Sequence, residues 1–239
     1  MSECVIIGVG GGLSVGVYSG FNPVIVVVGL MAGTMSECVV GVASSCLLLP
    51  INQSSSNIIA VVKIVKIIKS IDQEIIEATL SNLSTQHLDD FESAWKPQLE
   101  ASAAEDRVWD WIAKERIYLA NSNYECYTIE CERMTQGLML IDTRFHRSQI
   151  EPSRRLVYVS FLATAPWNRA IIQSPPTYRA VGSALLQFAR ERSFELGYGG
   201  LVGLHALSES VSFYDKIGMI GGDPDPDRDG LPYFEWYRR

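Results

Sequence analysis

The chain has 239 residues, and its 20 Lys and Arg stand against 27 Asp and Glu, giving a formal net charge of −7. Every basic side chain lies at or after Lys63, and between Cys4 and Val62 the single charged residue is Glu37, so the chain has two parts of different character. In the second part the charges alternate in sign with no Lys/Arg run to neutralise a row of phosphates, which excludes nucleic acid as an expected partner.

Residues 4–36 form an uncharged stretch rich in Val, Ile and Gly. As a helix this stretch would be long enough to cross a hydrocarbon core of about 30 Å. Gly8, Gly12, Gly16 and Gly20 recur every four residues and would line one helix face with the small residues that let membrane helices approach. Asn22-Pro23 reads as the cap and first-turn proline of a second apolar helix closed near Pro50, so a membrane hairpin through residues 4–51 is one reading. A cleaved signal peptide fits poorly, because Glu3 stands where a basic region is expected. Against an anchor, Met1-Ser2-Glu3-Cys4-Val5 is echoed by Met35-Ser36-Glu37-Cys38-Val39. Glu37 inside a second span would also cost about 2.5–3.5 kcal/mol. The echo suits a local duplication or a start assigned too far upstream, and a packed soluble extension is the third reading of residues 1–51. Residues 52–57, Asn-Gln-Ser-Ser-Ser-Asn, read as a linker, which leaves 58–239 as the main domain.

Ile58 to Ile68 is Val and Ile broken only by Ala60, Lys63 and Lys66 and suits a strand. Ser70 with Gln73 is a capping-box pattern that predicts a helix from about Ile71 to Leu80. Ser84–Trp95 and Glu105–Leu119 read as further helices, the second with Val108, Trp111, Ile112, Glu115 and Leu119 on one face. Trp109 and Trp111 read as core anchors. Three strand-like runs follow, Tyr124–Arg133, Gly137–Thr143 and Leu156–Ala165, with loops at 134–136 and 144–155. A long helix is predicted from Val181 to Leu196, ended by Gly197. Then come a strand at Leu201–Leu207, a short helix at Glu209–Ile217 ended by Gly218, and a last strand at Tyr233–Tyr237. This order predicts an α/β (α+β) fold with a mixed sheet flanked by helices. The five cysteines, Cys4, Cys38, Cys46, Cys126 and Cys131, show no Cys-x-x-Cys spacing, so no disulfide framework or zinc site is expected and a reducing, cytoplasmic setting is the default for the main domain. Cys126 and Cys131, five apart on one strand, should face opposite sides.

Tyr178-Arg179-Ala180-Val181-Gly182-Ser183-Ala184-Leu185-Leu186 joins a strand to a helix with small residues at the turn. The unpaired N–H groups and positive dipole end of a helix's first turn favour a phosphate, and Gly182, Ser183 and Ala184 leave room for the backbone to reach one. The segment resembles the pyrophosphate-binding motif Q/R-x-x-G-x-G/A of GNAT acetyltransferases. Phe213-Tyr214-Asp215-Lys216-Ile217-Gly218-Met219 resembles the family's second mark, F/L-Y-x-K-x-G-F/M. The likeness covers 124–239 clearly, 58–123 only in the order of elements, and 1–57 not at all.

The resemblance implies a GNAT-like, mostly antiparallel sheet and acetyl-CoA as cosubstrate. It implies that the backbone of Arg179, Ala180, Val181, Gly182, Ser183 and Ala184 holds the pyrophosphate and that Leu162, Ala163 and Thr164 pair with the pantetheine arm. Tyr214 would protonate the departing thiolate. The activity implied is transfer of an acetyl group to a primary amine by direct attack in a ternary complex, without a metal. Three departures stand out. Residues 167–178 replace the usual two-residue spacer, Leu207 stands where an Asn is often found, and Leu156–Ala165 carries no carboxylate where many relatives have a general base. Asp142, Glu130, or a water held by Ser160 or Tyr158 are the substitutes. The missing base supports the alternative of a non-catalytic acyl-CoA-binding module, and a third reading makes the domain the display of a membrane protein. Asp225, Asp227, Asp229 and Gly230 open like a calcium loop, but the twelfth position is Trp236, so an acidic turn between strands is expected. His205 reads as a packed or edge histidine on its strand, with facing the acyl group as the other reading; His87 and His146 have no partners at metal-ligand spacing.

Overall fold

The computed structural model describes the backbone of residues 4–9, 12–19 and 22–27, and residues 61–237 with their side chains. The chain divides into two compact units, Met1–Gln53 and Ser54–Arg239. In the first, β1 (Cys4–Val9), β2 (Gly12–Ser19) and β3 (Asn22–Val27) form an antiparallel sheet in that order. This departs from the helix expected over 4–36. Val and Ile are stiff at χ1 and favour a pleated strand, while each Gly costs a helix interior about 1 kcal/mol. Among the described residues no helix is long and apolar enough to cross a membrane. The rest of the second apolar helix, Glu37 and the linker lie outside the described residues.

The second unit opens with β4 (Val62–Lys69) and β5 (Ile75–Asn82), a hairpin in register from Val62↔Ser81 to Ile68↔Ile75. The helix expected at 71–80 is therefore a strand. The Ser70/Gln73 pair builds a turn instead: the Gln73 amide donates to the Ser70 carbonyl, Gln73 takes φ 60°, and Lys69 N–H donates to Glu74 O at 2.9 Å. Next, α1 (Thr85–Asp90), a π turn (Phe91–Trp95) and α2 (Lys96–Glu100) run on as one helical stretch. Pro97, with no N–H for the ladder, lies in the first turn of α2, just past the widened turn. Asp90, 7% exposed, ties this stretch to the sheet by accepting from Thr135 N–H at 2.9 Å and its hydroxyl at 2.7 Å.

The helix expected from Glu105 is shorter than its pattern. Glu105–Val108 is a 3-10 turn, and α3 (Trp111–Tyr118) begins only where the Asp110 carboxylate accepts from Ala113 N–H at 2.8 Å. On the expected face Trp111 is buried, whereas Val108 is 76% exposed and Ile112 37%. β6 (Tyr124–Cys131) and β7 (Met134–Asp142) follow. The loop expected at 134–136 is the start of β7, because Glu132 and Arg133, at φ 53° and 62°, close a two-residue turn of the primed kind without Asn or Gly. Cys126 and Cys131 do fall in the cores on opposite faces of the sheet.

β8 (Val157–Thr164), β9 (Tyr178–Arg179), α4 (Val181–Glu195), β10 (Val202–His205), α5 (Val211–Lys216), β11 (Ile220–Pro224) and β12 (Pro232–Trp236) complete the unit. The nine strands lie in the order β11-β12-β10-β8-β7-β6-β5-β4-β9, antiparallel except for β8 and β10, which α4 joins as a crossover. The fold is the expected α/β (α+β) arrangement, a mixed, mostly antiparallel sheet flanked by helices. One core, with α4 and α5, covers one face; the other, with Trp95 and Trp111 from the earlier helices, covers the opposite face.

Candidate functional site

Ser160 is the residue on which the site turns. In the β7–β8 register Leu140 opposes Phe161 while Ile141 opposes Val159, so Ser160 is an extra residue in β8. A bulge of this kind bends its strand and shifts the alternation of faces by one. Val157 and Val159 lie in the α4-side core, and after the bulge Leu162 packs there while Phe161 and Ala163 join the opposite core. The partner strand leaves at the same place. β10 pairs β8 only over Val202↔Val157, Gly203↔Tyr158 and Leu204↔Val159. Past Val159 the two parallel strands part, and on the β10 side the backbone of Ser160–Thr164 faces a slot rather than a paired strand.

A cavity of about 400 Å³ occupies this opening. On the α4 and α5 side its wall includes Leu162, Leu204 and Tyr214; on the other it includes Tyr158, His205, His146 and Phe161. Tyr214 is 6% exposed, and burial alone pushes its hydroxyl well above the ordinary tyrosine range, with no charged or hydrogen-bonding neighbour contributing. It therefore keeps its proton at every working pH.

The start of α4 stands beside the slot. Ala180 holds φ 67° ahead of the helix, no side chain caps the first turn, and the first intrahelical bond is Ala184 N–H to Ala180 O at 2.9 Å. The N–H groups of Val181, Gly182 and Ser183 are the open donors of such a helix end. A Cβ on Gly182 would meet Phe213 Cζ at 3.4 Å and Leu162 and Thr164 at 3.7 Å, so the turn lies close against β8 and α5. Val181 is buried in the core, Ser183 and Ala184 are half-buried, and Arg179 is exposed at the sheet edge with its guanidinium on the Gln73 side chain. Of these motif residues and Leu162, Ala163 and Thr164, only Leu162 lines the cavity itself.

Residues 167–178 form a tied loop. Trp167 Nε1–H and the Asn168 amide donate to Gln136 Oε1 at 2.8 and 2.9 Å. Arg169 grips Asp106 with two bonds of 2.6 and 2.7 Å and donates to Thr164 O at 2.8 Å.

The suspected substitutes for a strand carboxylate are separated. Asp142 is fully buried; its Oδ1 accepts from the N–H groups of Arg144 and Phe145 at 2.8 and 3.0 Å, and its Oδ2 lies 3.5 Å from His146 Nε2, outside the cavity lining. Glu130 lies by His87, away from the cavity. Tyr158 and Ser160 do line it. The sequence offered no means of pairing His205 with partners, yet its Nδ1 is 2.7 Å from the Tyr158 hydroxyl and its Nε2 2.9 Å from Asp225 Oδ2. Asp225 belongs to the acidic turn between β11 and β12, where its Oδ1 also accepts from Asp227 N–H at 2.9 Å. The His205 bond, then that N–H, hold its carboxyl below the usual range. The His146 ring stacks on Tyr158 with centroids 3.9 Å apart, and burial lowers its proton affinity.

No protein-family model and no curated protein sequence matches the chain. Solved structures do. The PaiA N-acetyltransferase from Thermoplasma acidophilum in complex with coenzyme A aligns at 14% identity with a TM-score of 0.48, covering 68% of this chain and 100% of that one. AAC(6')-Iy in complex with a bisubstrate analog, CoA-S-monomethyl-acetylneamine, aligns at 13% identity and 0.45, covering 68% and 97%. The GNAT domain of S. lividans PAT aligns at 12% identity and 0.46, covering 73% and 96%.

Proposed function

We propose that the chain is an acetyl-CoA-dependent N-acetyltransferase of the GNAT type that acetylates a primary amine by direct attack within a ternary complex. The observation that carries this reading is the parting of β8 and β10 at Ser160 beside the uncapped, glycine-bearing start of α4. The pyrophosphate would take the N–H groups of Val181–Ser183 and the dipole end of a 15-residue helix. The pantetheine arm would lie in the slot along Leu162–Thr164, completing the backbone hydrogen bonds that β10 leaves unmade. Its thioester would then reach the cavity at Tyr214.

The amine nitrogen forms its bond to the acetyl carbon as the carbon–sulfur bond breaks. Tyr214, held protonated by burial, donates its hydrogen bond to the sulfur as negative charge develops there. A second reading, a module that binds acyl-CoA without turnover, is favoured by one observation: β8 carries no carboxylate over Val157–Thr164.

Isothermal titration of the full chain with acetyl-CoA tests the binding half of the proposal. A dissociation constant of about 1 µM to 1 mM is expected, the range of enzyme substrates. Ser183→Glu sets a negative charge on the first turn of α4 at a half-buried position and should abolish binding while leaving the fold intact by circular dichroism. Folded wild-type protein that takes up no acetyl-CoA contradicts the proposal.

A further inference from the structure

We propose that Tyr158, His205 and Asp225 form the proton exit that replaces the missing strand carboxylate, with Tyr158 the group that takes the proton from the acceptor amine. The inference rests on the acetyltransferase reading above and supplies the base it lacks. Three observations meet here. Tyr158 and His205 both wall the cavity, their side chains are joined at 2.7 Å, and Asp225 holds the far side of the imidazole at 2.9 Å.

Geometry fixes the direction of transfer. An ionised carboxylate only accepts, so His205 carries its proton on Nε2 and presents a bare Nδ1 to the Tyr158 O–H. The phenol proton is then committed to His205, and a lone pair of the Tyr158 oxygen is left for a proton arriving from the cavity. Along β10, Val202, Leu204 and Ala206 pack into the α4-side core, so Gly203 and His205 point to the opposite face with Tyr158. Gly203 has to be glycine for this arrangement, because a Cβ there would lie 2.4 Å from the Tyr233 hydroxyl that backs the cluster. Tyr214 and this cluster thus reach the slot from opposite faces of the sheet. The sulfur leaves on one side and the amine is deprotonated on the other.

An amine that arrives as an ammonium ion loses two protons before it is an amide. One passes to the Tyr158 oxygen as the phenol gives its own to His205 Nδ1, and the imidazolium is stabilised by Asp225, a partly exposed carboxylate open to water. The other is matched by the proton that ends on the coenzyme sulfur. No redox partner is involved and the charges balance. Tyr158 touches the acceptor; His205 takes the relayed proton; Asp225 is a positioning residue that fixes the tautomer.

The groups facing His205 are Tyr158 on β8, Asp225 after β11, and Tyr233 on β12, whose hydroxyl is engaged by Glu235 at 2.8 Å. His146, stacked on Tyr158, and Arg228 complete the surround on the cavity side.

The test combines kinetics with nitrogen NMR on the full chain, whose three histidines keep the spectrum simple. Acetyl transfer to 2-phenylethylamine, spermidine and an alanine-initiated peptide is followed by thiol release across pH. For whichever amine is taken, His205→Ala and Tyr158→Phe should lower kcat by about 10²- to 10⁴-fold. Acetyl-CoA binding by titration should stay at the wild-type value in both variants. Asp225→Asn should lower kcat and displace the His205 Nε2 signal, since it removes the carboxylate that holds that nitrogen. In the spectra His205 should be the Nε2–H tautomer, with its Nδ1 signal displaced by Tyr158→Phe. Loss of acetyl-CoA binding in the wild-type protein would sink the acetyltransferase reading itself. Retained binding with no turnover of any of the three amines would contradict acetyl transfer and the relay with it; turnover with wild-type rates in the variants, or an Nδ1–H tautomer at His205, would overturn the relay alone.

Discussion

His87 gives the residue scale a measurable consequence. It is 5% exposed, its Nδ1 accepts from Ser84 N–H at 3.0 Å at the start of α1, and Thr128 Oγ1 lies 3.3 Å from Nε2. Burial lowers its proton affinity and outweighs the pull of Glu130 and Asp90. A histidine whose pKa is lower folded than unfolded binds more protons in the unfolded chain. Stability therefore rises with pH, is fully present above the unfolded value of about 6.5, and is lost as pH falls through the lower folded value. The melting temperature should drop between about pH 7.5 and pH 5, and His87→Gln, which cannot titrate, should flatten that slope. Equal slopes in the two proteins would contradict the assignment to His87. At this scale the local motifs placed Gly182 at the start of α4 and Tyr214 on the short helix α5, where the structure has them. The sequence was silent on His205 and Asp225, because they meet only when a hairpin folds the acidic turn back over β10.

At the scale of elements, the long helix α4, closed by Gly197, and the strands β8 and β10 that it connects were readable from their residue patterns. The hairpin β4–β5 was not, since Ser70 and Gln73 satisfy a capping box and a turn equally well, and the β-branched run from Ile75 decides the matter only through pairing with β6. β9 and β11 also escaped notice: one is two residues long and the other is broken by Gly221 and Gly222. The loop before α4 makes its own prediction. Asp106 is 3% exposed and holds Arg169 by two short bonds, so removing one partner strands a buried charge. Asp106→Ala should cost about 3–5 kcal/mol in urea unfolding, and the double variant Asp106→Leu/Arg169→Met should recover most of it. A single-variant loss under about 1 kcal/mol would mean the pair is solvated and does not hold the loop.

On the scale of the whole second unit, chemistry is expected where one parallel pair opens within an otherwise antiparallel sheet. The sheet separates Tyr214, the proposed donor, from Tyr158 with His205, the proposed acceptor, and the slot at Ser160 joins the two sides. The general α/β order was legible in the sequence, but the slot was not, because a one-residue bulge leaves no mark in composition or periodicity. The central claim is that this opening transfers an acetyl group rather than only holding the coenzyme. Its most direct test is mass-spectrometric detection of acetylated amine after incubation of the full chain with acetyl-CoA, with Tyr214→Phe run beside it. The account predicts product from the wild-type protein and a rate lowered about 10²- to 10⁴-fold by Tyr214→Phe at unchanged acetyl-CoA affinity. Acetyl-CoA bound by the wild-type protein with no amine acetylated would contradict it and leave a binding module in its place.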